Sequence, residues 1–385
     1  MLALEDVAAD LEDFRQAVQE GVPYRPLYVK IKLTWRCNLR CRMCNVWRQD
    51  RGDRLTLQLI RSLADELAAL GTKKVHLSGG EVLLRSDIFE VIRAFASKGI
   101  QVNLTTNGTL LTPEVAARLV ESGISNVSVS LDGATPSVHD AMRGTGTWKR
   151  TLTGIRNLRQ AAKAAHRKVH IRINTVITRC NYRDLARLPE IAHYAGADRL
   201  TLIPVDDPDG QLRLNKRRIR EYTEEIAPLI AHHALAYGMI EKAEEVYPFG
   251  RSKAEWELSK AGLYARGLYQ EQPCYMPWLH SLIDPKGRVY PCCMTRSLTP
   301  LGNVVKRGGF TPVWEGEAFR SFRLGMLKPE GRPSLCHCCD DFLEENRYLH
   351  RKLAALSGGP NFMPCWSGGE APAQSGETTR RDRNV

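Results

Sequence analysis

Three cysteines, Cys37, Cys41 and Cys44, stand within eight residues in the spacing C-x3-C-x2-C. A tetrahedral zinc site usually gathers four ligands from paired knuckles, and this loop offers three corners only. A 4Fe-4S cluster also normally takes four thiolates. Held by three, it leaves one iron open to chelate the amino and carboxylate groups of a small molecule. A zinc site and chance clustering are the bland alternatives. A second group of thiols follows far downstream: Cys274, then Cys292 and Cys293, then Cys336, Cys338 and Cys339. Eleven cysteines in a chain whose start carries Glu5, Asp6, Asp10, Glu12 and Asp13, in place of a basic and apolar export signal, point to metal ligands in a reducing cytoplasm.

The elements that must position these thiols alternate along the chain. Leu4, Val7, Ala8, Leu11, Phe14 and Val18 share one helical face that stops at Gly21, giving an N-terminal helix within residues 1–26. Six strands follow, at Leu27–Leu33, Lys74–Leu77, Gln101–Thr105, Asn126–Ser130, Lys168–Ile177 and Arg199–Pro204. Helices are expected between them at 56–69, 86–97, 113–122, 149–164 and 183–194. Alternating strands and helices with right-handed crossovers predict an α/β fold, a partial (β/α)6 barrel over 27–210. Chemistry in such arrays sits at the C-terminal ends of the strands. The three-cysteine loop stands at the first of these ends. A helical linker is expected over 211–268.

The other strand ends carry further candidates. After the second come Ser78-Gly79-Gly80-Glu81, where two glycines allow close backbone approach. Asn107 follows the third, Ser130 and Asp132 the fourth, and Arg143 lies a little beyond; Asn-Gly and Asp-Gly are also ordinary turn pairs. Cys180 follows the fifth strand. A buried cysteine is commonly a small hydrophobe, but a thiol facing the barrel mouth can give a hydrogen atom to a carbon radical. Asp206, Asp207 and Asp209 follow the sixth and suit the amines or hydroxyls of a polar substrate, or simply a solvated turn.

In the C-terminal part, Leu279–Ile283, the turn Asp284-Pro285-Lys286-Gly287 and Val289–Cys292 predict a β-hairpin, with a helix at 315–326. Adjacent strand residues face opposite ways. Cys292 and Cys293 therefore do not both ligate one centre easily; the Gly287-x4-Cys and C-x2-C spacings, as in the domain that this segment resembles, select Cys292, Cys336 and Cys339. Cys274, Cys292, Cys336 and Cys339 are the expected ligands of one saturated metal centre in a small hairpin-plus-helix domain at 269–345. A zinc ribbon has the same ligand count. Residues 346–366 read as a C-terminal helix and packing segment, and 367–385 as a disordered polar tail.

Bulk properties set limits. The 55 basic and 43 acidic residues give a net charge of +12, and 43% hydrophobic residues can fill a large core. The basic run Arg213, Lys216, Arg217, Arg218 and Arg220 lacks interleaved aromatics, which argues against a nucleic-acid groove. A stretch of roughly 18 apolar residues, the signature of a membrane span, does not occur.

The cluster loop, with Trp35 before it and Asn38-Leu39-Arg40 inside it, resembles that of the radical S-adenosylmethionine (SAM) superfamily, and Gly79-Gly80-Glu81 resembles its GGE motif. The pattern from Cys274 through Gly287 and Cys292 to Cys336 and Cys339 resembles the SPASM auxiliary-cluster domain in its single-cluster twitch form. The resemblance implies a SAM-binding 4Fe-4S cluster on Cys37, Cys41 and Cys44, one auxiliary 4Fe-4S cluster, and SAM contacts from Gly79, Gly80, Glu81, Asn107, Ser130, Asp132 and Arg143. It implies hydrogen abstraction by a deoxyadenosyl radical, with electrons from a donor such as flavodoxin or ferredoxin. On this basis the chain is expected to epimerise a carbinol carbon of a sugar or aminocyclitol, with Cys180 as hydrogen donor. A dehydrogenase using the auxiliary cluster is the second reading and a peptide-modifying SPASM maturase the third. The third stands last because only 26 residues precede the first strand, less than a leader-binding domain needs, although some maturases use a separate partner.

Overall fold

The computed structural model describes residues 4–49, 52–207 and 209–356. Residues 357–366, with Cys365, and the expected tail at 367–385 lie outside the described residues. Two helices, α1 (Leu4–Ala9) and α2 (Leu11–Glu20), replace the expected single one. Strands β1 (Tyr28–Thr34), β2 (Lys74–Gly79), β3 (Gln101–Thr106), β4 (Asn126–Ser130), β5 (His170–Ile177) and β6 (Arg199–Pro204) pair in parallel and in sequence order. Helices α3 (Leu57–Ala69), α4 (Ile88–Ala96), α5 (Pro113–Glu121), α6 (Pro136–Arg143), α7 (Thr147–Ala164) and α8 (Leu188–Ala195) connect them. This is the α/β array that the periodicity predicts.

Local chemistry starts and aims these helices. Thr56 accepts a hydrogen bond from the Leu59 N–H and Thr112 from that of Val115, each satisfying an orphan donor of its helix's first turn. In α3 the buried Ile60, Leu63, Ala64 and Leu67 recur at helical spacing and close over the sheet. Burying each large aliphatic side chain there contributes about 1.5–3 kcal/mol. Helix α6 escapes the periodicity, although Pro136 at its first turn is a start signal.

Along β1, Val29, Ile31 and Leu33 are fully buried against the helices, while Tyr28, Lys30 and Lys32 alternate with them on the other face. That other face lines a polar lumen. There the Tyr28 hydroxyl meets His76 Nδ1 at 2.8 Å, His76 Nε2 meets Thr105 Oγ1 at 2.6 Å, and Asn126 Nδ2 donates to Asn103 Oδ1 at 2.8 Å.

The C-terminal hairpin is not a sheet of its own. Strands β7 (His280–Ile283), β8 (Arg288–Tyr290) and β9 (Gly302–Asn303) extend the barrel sheet, in the order β6-β5-β4-β3-β2-β1-β7-β8-β9. Strand β7 pairs with β1 in parallel, Tyr28 opposite His280 and Ile31 opposite Ile283. The Asp284 carboxylate accepts from the N–H groups of Lys286 and Arg288, and Gly287 takes a φ of +77°, closing the turn. Helix α2 also belongs to this end of the molecule. Phe14 and Val18 share a core with Tyr275, Trp278, Leu349 and Leu353, and the Trp278 indole N–H donates to the Ala17 carbonyl at 3.0 Å.

Candidate functional site

The cluster loop leaves β1 through a register irregularity between Lys32 and Thr34, and it is stitched to the end of β2. The Gly80 N–H donates to the Thr34 carbonyl at 2.7 Å and the Glu81 N–H to the Arg36 carbonyl at 2.8 Å. A Cβ on Gly79 would stand 2.4 Å from the Thr34 oxygen, and one on Gly80 only 2.1 Å from that of Arg36. The two glycines are thus required first by the close approach of the cluster loop.

Each of the three thiols faces an N–H donor. The Leu39 N–H points to Cys37 Sγ at 3.4 Å, the Val46 N–H to Cys44 Sγ at 3.4 Å, and Arg143 Nη1 to Cys41 Sγ at 3.9 Å. Sulfur accepts such bonds best as thiolate. Burial pushes the Cys37 thiol up and Cys41 up to about 11, the nearby Arg143 pulling the latter back only in part. A bound iron supplies the positive charge that keeps such thiols ionised. Three thiols with N–H donors around one cavity therefore fit a cluster with a free iron corner.

That cavity has a volume of about 620 Å³, the size of a small-molecule site. Gly79, Gly80, Asn107, Ser130 and Arg143 line it together with Cys37, Cys41 and Cys44. Asn107 is tied to the cluster loop, its Nδ2 donating to Asn38 Oδ1 at 2.8 Å. Glu81 and Asp132, expected as SAM contacts, are fully buried and absent from the lining. Glu81 accepts from the Thr106 hydroxyl at 2.8 Å, the Asn107 N–H at 2.8 Å and the Leu83 N–H at 3.1 Å. Its carboxyl lies above the ordinary range because burial outweighs these three bonds. Asp132 accepts from the Val176 N–H at 2.8 Å and from Arg143 Nε at 2.5 Å. Both carboxylates thus hold the wall from behind.

Cys180 stands apart from the cavity. Alternation along β5 brings Val176 to the lining, and the same period would carry Cys180 inward. The strand ends at Ile177 instead, and Asn181 Oδ1 accepts from the Thr178 N–H at 2.7 Å. This turn leaves Cys180 exposed, with its N–H donating to Thr178 Oγ1 at 3.2 Å. The three aspartates also separate. Asp206 lines the cavity and pairs with Arg296, Asp207 accepts from the Leu212 N–H, and Asp209 is exposed outside the lining.

Lys32, Asp284, Arg288, Tyr290 and Arg296 line the cavity without having been foreseen. The alternation in β1 was the available signal for Lys32. The hairpin residues depend on the β1–β7 pairing, which no local pattern encodes.

Cys274, Cys292, Cys336 and Cys339 border a second, small cavity beside Tyr269, Asp341 and Phe342. Asn346 Nδ2 donates to Cys274 Sγ at 3.5 Å, and Thr295 Oγ1 stands 3.7 Å from Cys292 Sγ. Burial pushes the Cys274 and Cys292 thiols up to about 11. Cys338 is absent from the lining, but Cys293 belongs to it, against the expectation that it faces away. The reason is that β8 ends at Tyr290, so strand alternation does not govern the two cysteines. Cys293 Sγ lies 3.6 Å from Asp341 Oδ2. Among the described residues no three His, Cys, Asp or Glu side chains converge as ligands of one metal ion. A cluster, whose ligands surround a larger body, suits thiols that share a cavity without meeting at a point.

Residues 31–177 match the Radical SAM superfamily and residues 274–340 match SPASM, an iron-sulfur cluster-binding domain. The chain is 32% identical over 304 residues to the mycofactocin maturase MftC of Mycobacterium tuberculosis, covering 77% of this chain and 73% of that protein. It is 29% identical over 334 residues to the AdoMet-dependent heme synthase of Methanosarcina barkeri (82% and 88%), and 28% over 351 residues to the PqqA peptide cyclase of Ruegeria pomeroyi (90% and 87%). Among solved structures, Streptococcus suis SuiB bound to S-adenosylmethionine superposes with a TM-score of 0.60 at 16% identity, over 87% of this chain and 78% of that one.

Proposed function

This chain belongs to the radical SAM superfamily and carries a SPASM domain, and from that premise we propose that it modifies a peptide. The supporting observation is its likeness, over most of both chains, to a maturase and a peptide cyclase. When bound, SAM and the reduced cluster supply hydrogen-atom abstraction from an unactivated C–H bond. The chain's own residues hold the loop thiols, wall the cavity and keep the reacting carbon away from water. Cys274, Cys292, Cys336 and Cys339 would hold the auxiliary cluster, which would supply an electron acceptor beside the reaction cavity.

Epimerisation of a sugar or aminocyclitol falls behind this reading. Its hydrogen donor was to be Cys180, and an exposed thiol outside the cavity lining gives it no support. Small-molecule dehydrogenation would use the same auxiliary cluster, but no residue of the cavity favours it. Among the described residues no helix is long and apolar enough to cross a membrane.

The test is anaerobic turnover of the reconstituted enzyme with SAM, dithionite and synthetic peptides encoded by short reading frames beside its gene. A peptide mass change that requires SAM and accompanies 5′-deoxyadenosine is expected. Unchanged peptides, with 5′-deoxyadenosine instead matched by conversion of an aminocyclitol, would sink the proposal.

A further inference from the structure

Four cationic side chains line the reaction cavity: Lys32, Arg143, Arg288 and Arg296. Three of them have a carboxylate of their own. Arg143 pairs with Asp132 at 2.5 Å, Arg288 with Asp284 at 2.6 Å, and Arg296 with Asp206. Lys32 has none. Among the described residues its recorded contact is the face of the Trp35 ring, 5.6 Å from the ammonium to the ring centre.

Its surroundings sharpen the contrast. Lys32 sits on β1 opposite Ser78, where the strand register breaks, two residues before the lead-in to the cluster loop. Burial, then the like charges of Arg296 and Lys30, push its ammonium down to about 8, and Cys293 and Asp284 relieve this only in part. Both oxygens of Asp284 are already taken, Oδ2 by Arg288 and Oδ1 by the Lys286 and Arg288 N–H groups. A partly buried ammonium facing an open cavity beside two further cations is a position that a carboxylate from outside would complete.

We propose that Lys32, with Arg296 beside it, is the subsite for a carboxylate of the substrate, so that the cavity selects a peptide presenting an acidic side chain or its C-terminal carboxylate next to the reacting carbon. This rests on the peptide-modifying reading for the word peptide, but not for the anion. Trp35 and the β7–β8 hairpin bound the same part of the cavity, so an anchored acid fixes which neighbouring carbon lies over the thiol loop.

The experiment is lysine footprinting of the holoenzyme with a water-soluble acetylating reagent, read by mass spectrometry at Lys32. Four probes are compared: glutarate, acetyl-Gly-Glu-Gly-amide, acetyl-Gly-Gln-Gly-amide and SAM alone. Glutarate and the glutamyl peptide are expected to slow labelling of Lys32 several-fold, with no change at surface lysines, and the glutaminyl peptide and SAM to leave it as in the free enzyme. Equilibrium dialysis of labelled glutarate gives a second reading, with binding lost in Lys32→Gln and kept in Lys32→Arg. Protection by glutarate but by neither peptide keeps the anion subsite and removes the peptide reading. Protection by SAM alone assigns the ammonium to the cofactor and overturns the proposal, as does equal labelling with every probe.

Discussion

Arg143 donates through Nε to Asp132 at 2.5 Å and through Nη1 toward Cys41 Sγ at 3.9 Å, so one guanidinium joins a fully buried carboxylate to a thiol of the cluster loop. Removing the cation strands the anion. Arg143→Gln is expected to destabilise the holoenzyme by about 3–5 kcal/mol, the range for breaking one side of a buried pair. The double variant Asp132→Asn/Arg143→Gln should recover part of that loss, because no uncompensated charge remains. Thermal unfolding of the three proteins checks this. Equal midpoints for wild type and Arg143→Gln would show that the pair does not hold the wall.

The loop is equally sensitive at Gly80. A methyl group there would fall 2.1 Å from the Arg36 oxygen and 2.6 Å from its carbonyl carbon, which are backbone atoms with nowhere to go. Overpacking of this kind costs about 1–3 kcal/mol or more and must push the cysteine loop away from β2. Gly80→Ala is expected to purify with the auxiliary cluster but without the SAM-binding one, at about four irons per chain where the wild type holds about eight. Iron and sulfide analysis decides it; a full complement in Gly80→Ala contradicts the packing argument.

Much of the barrel was legible because parallel strands and amphipathic helices are written in local patterns. Asn126–Ser130 and Arg199–Pro204 stand where the alternation puts them. Cys37, Cys41 and Cys44 share one cavity wall, and Cys274, Cys292, Cys336 and Cys339 another. What stayed hidden depends on partners distant in sequence. Nothing near Tyr28 announces that His280 will pair beside it, so Arg288 of the hairpin and Arg296 just beyond it could not be placed in the cavity. The same holds for Phe14, which leaves the barrel to pack at 5.9 Å against Tyr275. Cys180 lies outside the cavity lining for a local reason, the Thr178–Asn181 turn that ends strand alternation.

Glu81 leads to a pH dependence. Its carboxyl lies above the ordinary value of 4.5, chiefly through burial, while bonds from Asn107, Thr106 and Leu83 pull it back. A carboxyl with a raised folded-state pKa favours the folded state when protonated. Its contribution is therefore full below 4.5 and is lost as pH rises through the raised value. Glu81→Gln lacks this titration, but its amide sets an N–H against a buried donor, at about 1–3 kcal/mol. The variant should be less stable than wild type, with a gap widest in acid and narrowing toward neutral pH. Denaturation midpoints across that range test it, and a gap that widens with rising pH would reverse the sign.

Cys292 and Cys293 are adjacent in sequence but differently surrounded. Both thiols border the second cavity, but their partners differ. The Cys292 backbone N–H donates to Thr295 Oγ1 at 3.2 Å, and although burial and then Cys274 push the Cys292 thiol up, hydrogen bonds from Thr295 and Met294 draw it back in part. Cys293 instead points its sulfur toward Asp341 Oδ2, a carboxylate that repels a thiolate and accepts from a thiol. A cluster ligand must be ionised; the direct contact with the Asp341 carboxylate disfavours this at Cys293, whereas Cys292 has hydrogen-bond donors in Thr295 and Met294. Cys292→Ser is expected to drop the iron content from about eight to about four per chain with loss of the auxiliary cluster's signal, and Cys293→Ser to keep about eight. Retention in Cys292→Ser with loss in Cys293→Ser would exchange the two roles, and equal loss in both would show that the second cavity uses a fifth thiol.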